Sequence, residues 1–340
     1  MLAGMSQANA TFGLTLSNRA LVTQGTRPQQ LIAMAVEAEK SGAIEAIWVG
    51  DSILSKPRLE CIPLLGAVAA HTSKVKLGVA CMATIAQRNP VLLALQWASL
   101  DVLSGGRTWL AACMGYPASQ HPMAAKELKV MGIESKERPG RLEEMIQALR
   151  VLWSDQHASF HGRYYSFEDV NLLPKPIQAP CPIYIAGTPR PTQIGARGVE
   201  RSLRRIARFA DGWMTNQIEL TMFEDYLGRL RDLMIEEGRD PEKFKTILYY
   251  GVSVNRDSDV AYREAKAFLD AYYQKDFTRE GVEIWTACGP VDHCAGRLAG
   301  FIRAGVDHIT IRPIGDDLNQ QFRIFLEELL PALQSVAATR

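Results

Sequence analysis

A charged side chain follows directly on the apolar run Ile47-Trp48-Val49-Gly50, where Asp51 closes a segment that reads as a buried strand. A carboxylate delivered to a strand end can contact a polar ligand, or it can cap the next helical turn. Both readings stand for Asp51, the one candidate catalytic residue. A similar switch runs from Thr84 to Asn89, where Arg88 is placed to pair with Asp101 or with a ligand anion. The best anion signal is Gly195-Ala196-Arg197-Gly198-Val199-Glu200-Arg201-Ser202, which enters a helix with two glycines, two arginines and a hydroxyl. Helix N-termini present free N–H groups that favour phosphate. Arg201, Arg204, Arg205 and Arg208 also spread around that helix as a solvated face would, which leaves Arg201 and Ser202 as the pair at a mouth.

Other chemistries lose support. There is no G-x-G-x-x-G after the first strand, no Walker loop and no G-x-S-x-G elbow. The six histidines lack metal-ligand spacing, so no metal is expected. A Schiff-base lyase would need a lysine at a strand end, and the lysines fall on helices, loops or strand starts.

These residues need elements to position them, and short β-rich runs alternate with helical patterns along the whole chain. Strands are expected at Phe12–Ser17, Ile44–Gly50, Val75–Met82, Thr108–Met114, Pro182–Ala186, Gly212–Thr215, Ile247–Val254 and His308–Arg312. The nearly continuous apolar run of the third suits a parallel strand buried on both faces. Helices include Gln29–Lys40, Val91–Leu103, Arg141–Trp153, Glu200–Ala210, Glu219–Glu237, Asp259–Tyr273 and Val291–Ala304. Between Ser154 and Pro182 the periodicity lapses, and the aromatic segment Ser154–Ala179 predicts a packed insertion with its tip near the pocket mouth. The fold expected is α/β, a (β/α)8 TIM barrel with a loop insertion after the fourth βα unit, as one domain over residues 1–340. Function then belongs at the strand carboxyl ends.

With 47% hydrophobic residues the chain can bury a large core. Thirty-eight basic residues against 37 acidic ones provide no broad field for nucleic acid or an anionic membrane. Six dispersed cysteines, with no leader pattern at the start and no membrane-length apolar run, predict reduced thiols and a cytoplasmic location.

Arg88-Asn89-Pro90 followed by Ser99-Leu100-Asp101-Val102-Leu103-Ser104-Gly105-Gly106-Arg107 resembles the R-[HN]-P…TLD-x-LS-x-GR signature of the bacterial-luciferase-like flavin-dependent oxidoreductases. The resemblance continues through Gly162-Arg163-Tyr164-Tyr165, Pro174-Lys175-Pro176, Pro182-Ile183-Tyr184-Ile185-Ala186-Gly187 and Ala207-Arg208-Phe209-Ala210-Asp211-Gly212-Trp213, over roughly residues 12 to 315. It implies a barrel whose mouth holds reduced FMN or the deazaflavin coenzyme F420. By position it implies cofactor contacts at Asp51, at the Ala80-Cys81 pair as a bulge under the ring, at Cys113, at Gly187 and Thr188, and at Gly198, Val199, Arg201 and Ser202 for the phosphate. Two departures stand out: Ser52 follows Asp51 where many relatives place histidine, and Cys113-Met114-Gly115-Tyr116 replaces the basic residue that luciferase-type members often carry after the fourth strand.

The activity expected is a monooxygenase using reduced FMN and O2 on a small apolar or aromatic substrate, lined by Trp48, Met82, Met114 and Tyr116. The alternatives are F420-dependent hydride transfer or a noncatalytic flavin-binding relative. Expected partners are a small organic substrate, a separate flavin reductase and further copies of the chain, with neither nucleic acid nor membrane.

Overall fold

The computed structural model describes residues 10–119 and 121–338. Residues 1–9, on which much of the leaderless start rests, lie outside the described residues. The strands are β1 (Thr11–Leu16), β2 (Ala46–Val49), β3 (Lys76–Met82), β4 (Thr108–Cys113), β5 (Ala158–His161), β6 (Ser166–Val170), β7 (Ile183–Ala186), β8 (Gly212–Thr215), β9 (Lys245–Val254), β10 (Thr286–Gly289) and β11 (His308–Pro313). Parallel neighbours run β11-β1-β2-β3-β4-β7-β8, and β9 pairs with both β8 and β11, which closes a ring of eight. The chain is therefore a (β/α)8 barrel, with the helices outside. Every residue of β2 and β8 is buried, as strands covered on both faces require.

The barrel interior is plugged by rings. Trp48 and Trp109 lie 5.7 Å apart, Trp109 and Tyr184 5.9 Å, and the Trp48 Nε1–H donates to His308 Nε2 at 3.1 Å. Gly78 is obligatory on β3, because a Cβ there would stand 2.1 Å from the Trp48 ring. Helices join the strands on the expected plan. Asn89 Oδ1 caps the helix Pro90–Ser104 by accepting from the Val91 and Leu92 N–H groups at 3.0 and 3.1 Å.

Three elements differ from the sequence expectation. The insertion after β4 is an antiparallel hairpin, β5 on β6, rather than irregular loop. It rests on the helix Arg138–Ser154: the Glu144 carboxylate accepts from the backbone N–H groups of Arg163, Tyr164 and Tyr165 at 2.8, 2.8 and 3.1 Å. Its tip does not line the mouth cavity. The second difference is β10, a four-residue strand that extends the wall along Gly251–Val254 of β9. The third is the helix after β7, which begins at Pro191 and breaks at Gly195 (φ 66°), nine residues before the expected start.

Candidate active site at the barrel mouth

A cavity of about 450 Å3 opens at the strand carboxyl ends. Small or flexible side chains from β3, β4, β7 and β8 wall the slot it forms: Ala80, Cys81, Cys113, Ala186 and Met214 line it. The Ala80–Cys81 peptide is cis, and the β3–β4 register shifts between Val79 and Met82, so the bulge expected there is present. The Cys81 thiol donates to the Cys113 sulfur, which raises Cys81 well above, and lowers Cys113 below, the usual thiol range. The Cys113 sulfur also accepts from the Gly115 N–H at 3.3 Å.

Of the residues singled out in the sequence, Asp51, Ala80, Cys81, Cys113, Gly187, Thr188, Ser202, Met114 and Tyr116 all line this cavity. Five others do not. Trp48 is wholly buried in the ring plug, because its position on β2 points into the barrel below the mouth. Met82, one residue past Cys81, turns to the outer core between strands and helices. Gly198 and Val199 are buried where the helix packs on the barrel, a Gly198 Cβ falling 2.7 Å from Ile194 Cβ. Arg201 is exposed, more than a turn past the break at Gly195. The early helix start explains the helix residues: the side chains facing the cavity are Gln193, Ile194, Ser202, Arg205 and Ile206.

Asp51 is neither a helix cap nor a free base. Its Oδ2 accepts from the Thr84 N–H (2.9 Å) and hydroxyl (2.6 Å), and its Oδ1 from Arg88 Nη2 at 3.0 Å. Arg88 thus pairs with Asp51 and Glu60, while Asp101 accepts from Thr108 and Gln178 instead. The ligand atoms of Asp51, Glu60 and Cys61 lie within 4.8 Å of one another, but the Arg88 guanidinium already supplies their positive charge.

The cavity is cationic, against the expectation of an apolar pocket. Lys56, Arg58, Arg138, Arg190, Arg205 and Arg312 line it, with Asp51 the only lining carboxylate among the described residues. On the β7–β8 side the arginines are engaged. Arg205 pairs with Glu143 at 2.6 Å, Arg138 donates to the carbonyls of Met114 and Tyr116 at 2.9 and 2.8 Å, and Arg190 donates to the Gln217 carbonyl. Across the mouth stands Lys56, which the sequence reading passed over because it sits on a loop. Its backbone N–H donates to the Ser52 hydroxyl at 2.9 Å, and its ammonium lies 5.2 and 5.0 Å from the Tyr116 and Tyr273 ring centres. Burial, with the nearby Arg58 charge, pulls its pKa down to about 7.

A barrel with its cavity at the strand carboxyl ends, a bulged β3 beneath a slot and a helix break beyond β7 defines a class of oxidoreductase scaffold. The luciferase-like monooxygenase family model matches residues 10–308, and the chain belongs to that family. An F420-dependent glucose-6-phosphate dehydrogenase of Nakamurella multipartita is 25% identical over 335 residues, spanning 91% of this chain and 94% of that protein. A second of the same name, from Kineococcus radiotolerans, is 24% identical over 332 residues, 90% of this chain and 94% of its own. Among solved structures, an F420-dependent secondary alcohol dehydrogenase with an F420-acetone adduct superposes with a TM-score of 0.77 at 20% identity over 96% of this chain and 99% of that one. Monooxygenase RslO1 from Streptomyces bottropensis superposes with 0.74 at 20% identity, covering 94% and 99%. These structural likenesses establish the fold. No helix among the described residues is long and apolar enough to cross a membrane.

Proposed function

We propose that this protein is an F420-dependent oxidoreductase that moves a hydride between the deazaflavin and a small organic substrate, rather than an FMN monooxygenase. The observation that carries the reading is a cavity of about 450 Å3 lined by small side chains and by a titratable Lys56, in a chain matched over nine-tenths of its length by F420-dependent dehydrogenases. The residues present fit the group. Ala80, Cys81 and Ala186 leave room for a flat ring, and a Cβ at Gly187 would meet nothing within 4 Å, so backbone is open to a ligand there. Thr188, Gln193, Ser202 and Arg205 would hold the cofactor's polar tail, with Arg138 and Arg190 adding positive charge for its anionic groups. When bound, a deazaflavin takes or gives a hydride at one ring carbon.

The chain must then move the proton. Oxidation of an alcohol would also release its hydroxyl proton, which needs a base on the protein. Ser52 occupies the place where relatives carry histidine, and its hydroxyl instead holds the turn that presents Lys56. An amine poised near neutral pH accepts that proton at Nζ and returns it in the reverse direction. Met114, Tyr116, Tyr249 and Trp285 exclude water from the slot.

The reading extends to a cytoplasmic location, supported by six free cysteines, and to self-association through the helix Pro90–Ser104, which exposes Leu92, Leu95, Val102 and Leu103 along one face. Sedimentation of Leu95→Glu against the parent chain tests the latter. The cofactor assignment is tested by titrating purified protein with F420 and FMN separately. Tight F420 binding with reversible reduction of F420 by small alcohols is expected, and selective FMN binding with oxygen-dependent turnover would overturn it.

A further inference from the structure

The β11–β1–β2 side of the cavity holds a second group of cations that the cofactor reading does not use. Arg312 on β11 and Arg58 from the loop after β2 line it, and Arg19 just after β1 lies behind them without lining it; Arg312 and Arg19 are each 4% exposed. All three guanidinium groups gather on one ring: Arg19, Arg58 and Arg312 lie 5.4, 5.4 and 4.4 Å from the Tyr272 ring centre. The Arg58 end of the group reaches back to the strand end. A Cβ on Gly50 would fall 2.0 Å from Arg58 Nη1, so any larger residue at that strand end would push the guanidinium from its place.

None of these arginines, nor Lys56, has a carboxylate within ion-pair distance among the described residues. Their hydrogen bonds are few and neutral: Arg312 Nη2 donates to the Tyr272 hydroxyl at 3.2 Å, and Arg58 Nε to the Lys56 carbonyl at 2.9 Å. Arg19 Nε and Nη1 and Arg312 Nε are buried with no acceptor at all. Buried charge is ordinarily paired, because an unpaired ion forfeits its hydration with nothing in return. Contact with aromatic faces recovers only a small part of that loss. Repulsion compounds it: burial first, then Arg58, lowers both Arg19 and Arg312 from the usual arginine range. Structural arginines in this same molecule do not look like this. Arg107, equally buried, donates to the carbonyls of Ala69, Thr72, Val75 and Ser104.

We propose that this side of the cavity is an oxyanion pocket, in which Arg312 and Arg58, backed by Arg19, bind a carboxylate or phosphate on the substrate. The proposal rests on the reading of the cavity as an oxidoreductase site and narrows its substrate class to small alcohols or carbonyl compounds with an anionic end. The substrate anion anchors beside Tyr272, and its reacting carbon extends toward the slot between Cys81 and Met214. The two cationic sides divide the work across the barrel: β1 lies opposite β7, and β2 opposite β8, in the ring of eight.

The test begins without cofactor. The thermal midpoint of the purified full chain is followed while acetate, malonate or inorganic phosphate replaces chloride at constant ionic strength in a zwitterionic buffer. A saturable rise with at least one oxyanion is expected, and the comparison of the three separates a carboxylate from a phosphate site. Arg312→Met and Arg58→Met should each weaken that binding about ten-fold. Each should also raise the midpoint in chloride alone, a gain that a structural arginine would not give. Should one variant fail to fold, the other carries the test. Binding should persist with F420 bound, and the variants should keep their F420 affinity. Flat midpoints in all anions, a rise that survives both substitutions, or displacement of the anion by F420 would each overturn the proposal. Failure of F420 itself to bind would overturn the cofactor reading while leaving the anion result intact.

Discussion

Two sides of one cavity carry the same kind of charge in different states. On the β7–β8 side, Arg205 has Glu143, while Arg138 and Arg190 have backbone carbonyls. On the β11–β1–β2 side, Arg19 and Arg312 keep N–H groups buried without an acceptor. The first set is held by the protein and presents a shaped, pre-oriented rim. The second is held in spite of its electrostatics and waits for a counter-charge. Partnership, more than residue type, separates a polar group that maintains the fold from one kept for a ligand.

The comparison makes opposite predictions for partnered and unpartnered groups. Asp51 belongs with the partnered, so Asp51→Ala, which takes from the half-buried Arg88 one of its two carboxylates and leaves it Glu60, should cost about 1.5–3 kcal/mol of stability by urea unfolding. An unchanged midpoint would place Asp51 with the ligand groups instead. Glu144 is the same case in the hairpin. Glu144→Ala removes three charge-assisted backbone bonds and should cost about 1.5–3 kcal/mol, with faster hydrogen exchange over residues 160–167. That exchange should not respond to F420, since the hairpin does not line the cavity.

Lys56 should behave in the reverse sense. Its pKa of about 7 in the fold lies below the 10.5 of a free lysine, so below pH 7 the folded state bears the full burden of a poorly solvated ammonium. Between pH 7 and 10.5 the unfolded chain keeps a proton that the native lysine has lost, so native stability rises with pH. In oxyanion-free buffer Lys56→Met should therefore exceed the parent chain in thermal midpoint at pH 6, and the gap should shrink through pH 9. Its turnover with F420 should fall about 10²–10⁴-fold. A variant less stable than the parent at pH 6 would refute the unpartnered reading.

What the sequence made legible follows the range of each signal. Strand and helix alternation is local, so all eight barrel strands are readable, as is the run Gly187-Thr188 at a strand end, whereas the bulge at Ala80-Cys81 comes only from the family resemblance. The four-residue β10 and the Gly162-Arg163 turn of the hairpin carry too little pattern to register. Gly195 and Gly198 look like loop and put the expected start of the helix after β7 at Glu200, whereas its first turn forms before the break and shifts which residues face inward. Trp48 and Met82 were misplaced for a related reason: apolar residues next to a strand end fit either the mouth or the plug, and only barrel geometry decides. Partnership was the least legible property. Arg312 and Arg58 lie 254 residues apart in sequence, and nothing local to either says that no carboxylate meets them.

The smallest effect is confined to one helical turn. Arg201 and Ser202 are adjacent in sequence and were paired as phosphate contacts, but the helix beginning at Pro191 sends Ser202 into the cavity and leaves Arg201 exposed. Charge alone would favour Arg201, because a guanidinium attracts an anionic cofactor tail more strongly than a hydroxyl does. Position decides otherwise, since an exposed cation acts through water and salt while a lining hydroxyl makes a directed bond. Ser202→Ala should therefore weaken F420 binding about five-fold, the equivalent of one neutral hydrogen bond. Arg201→Ala should leave affinity within about two-fold and stability within about 0.5 kcal/mol. Fluorescence titration of the two variants side by side reads the difference directly. If Arg201→Ala proves the more damaging, the anionic tail lies along the outer face of this helix, and the rim assigned to Gln193, Ser202 and Arg205 is the wrong side of it.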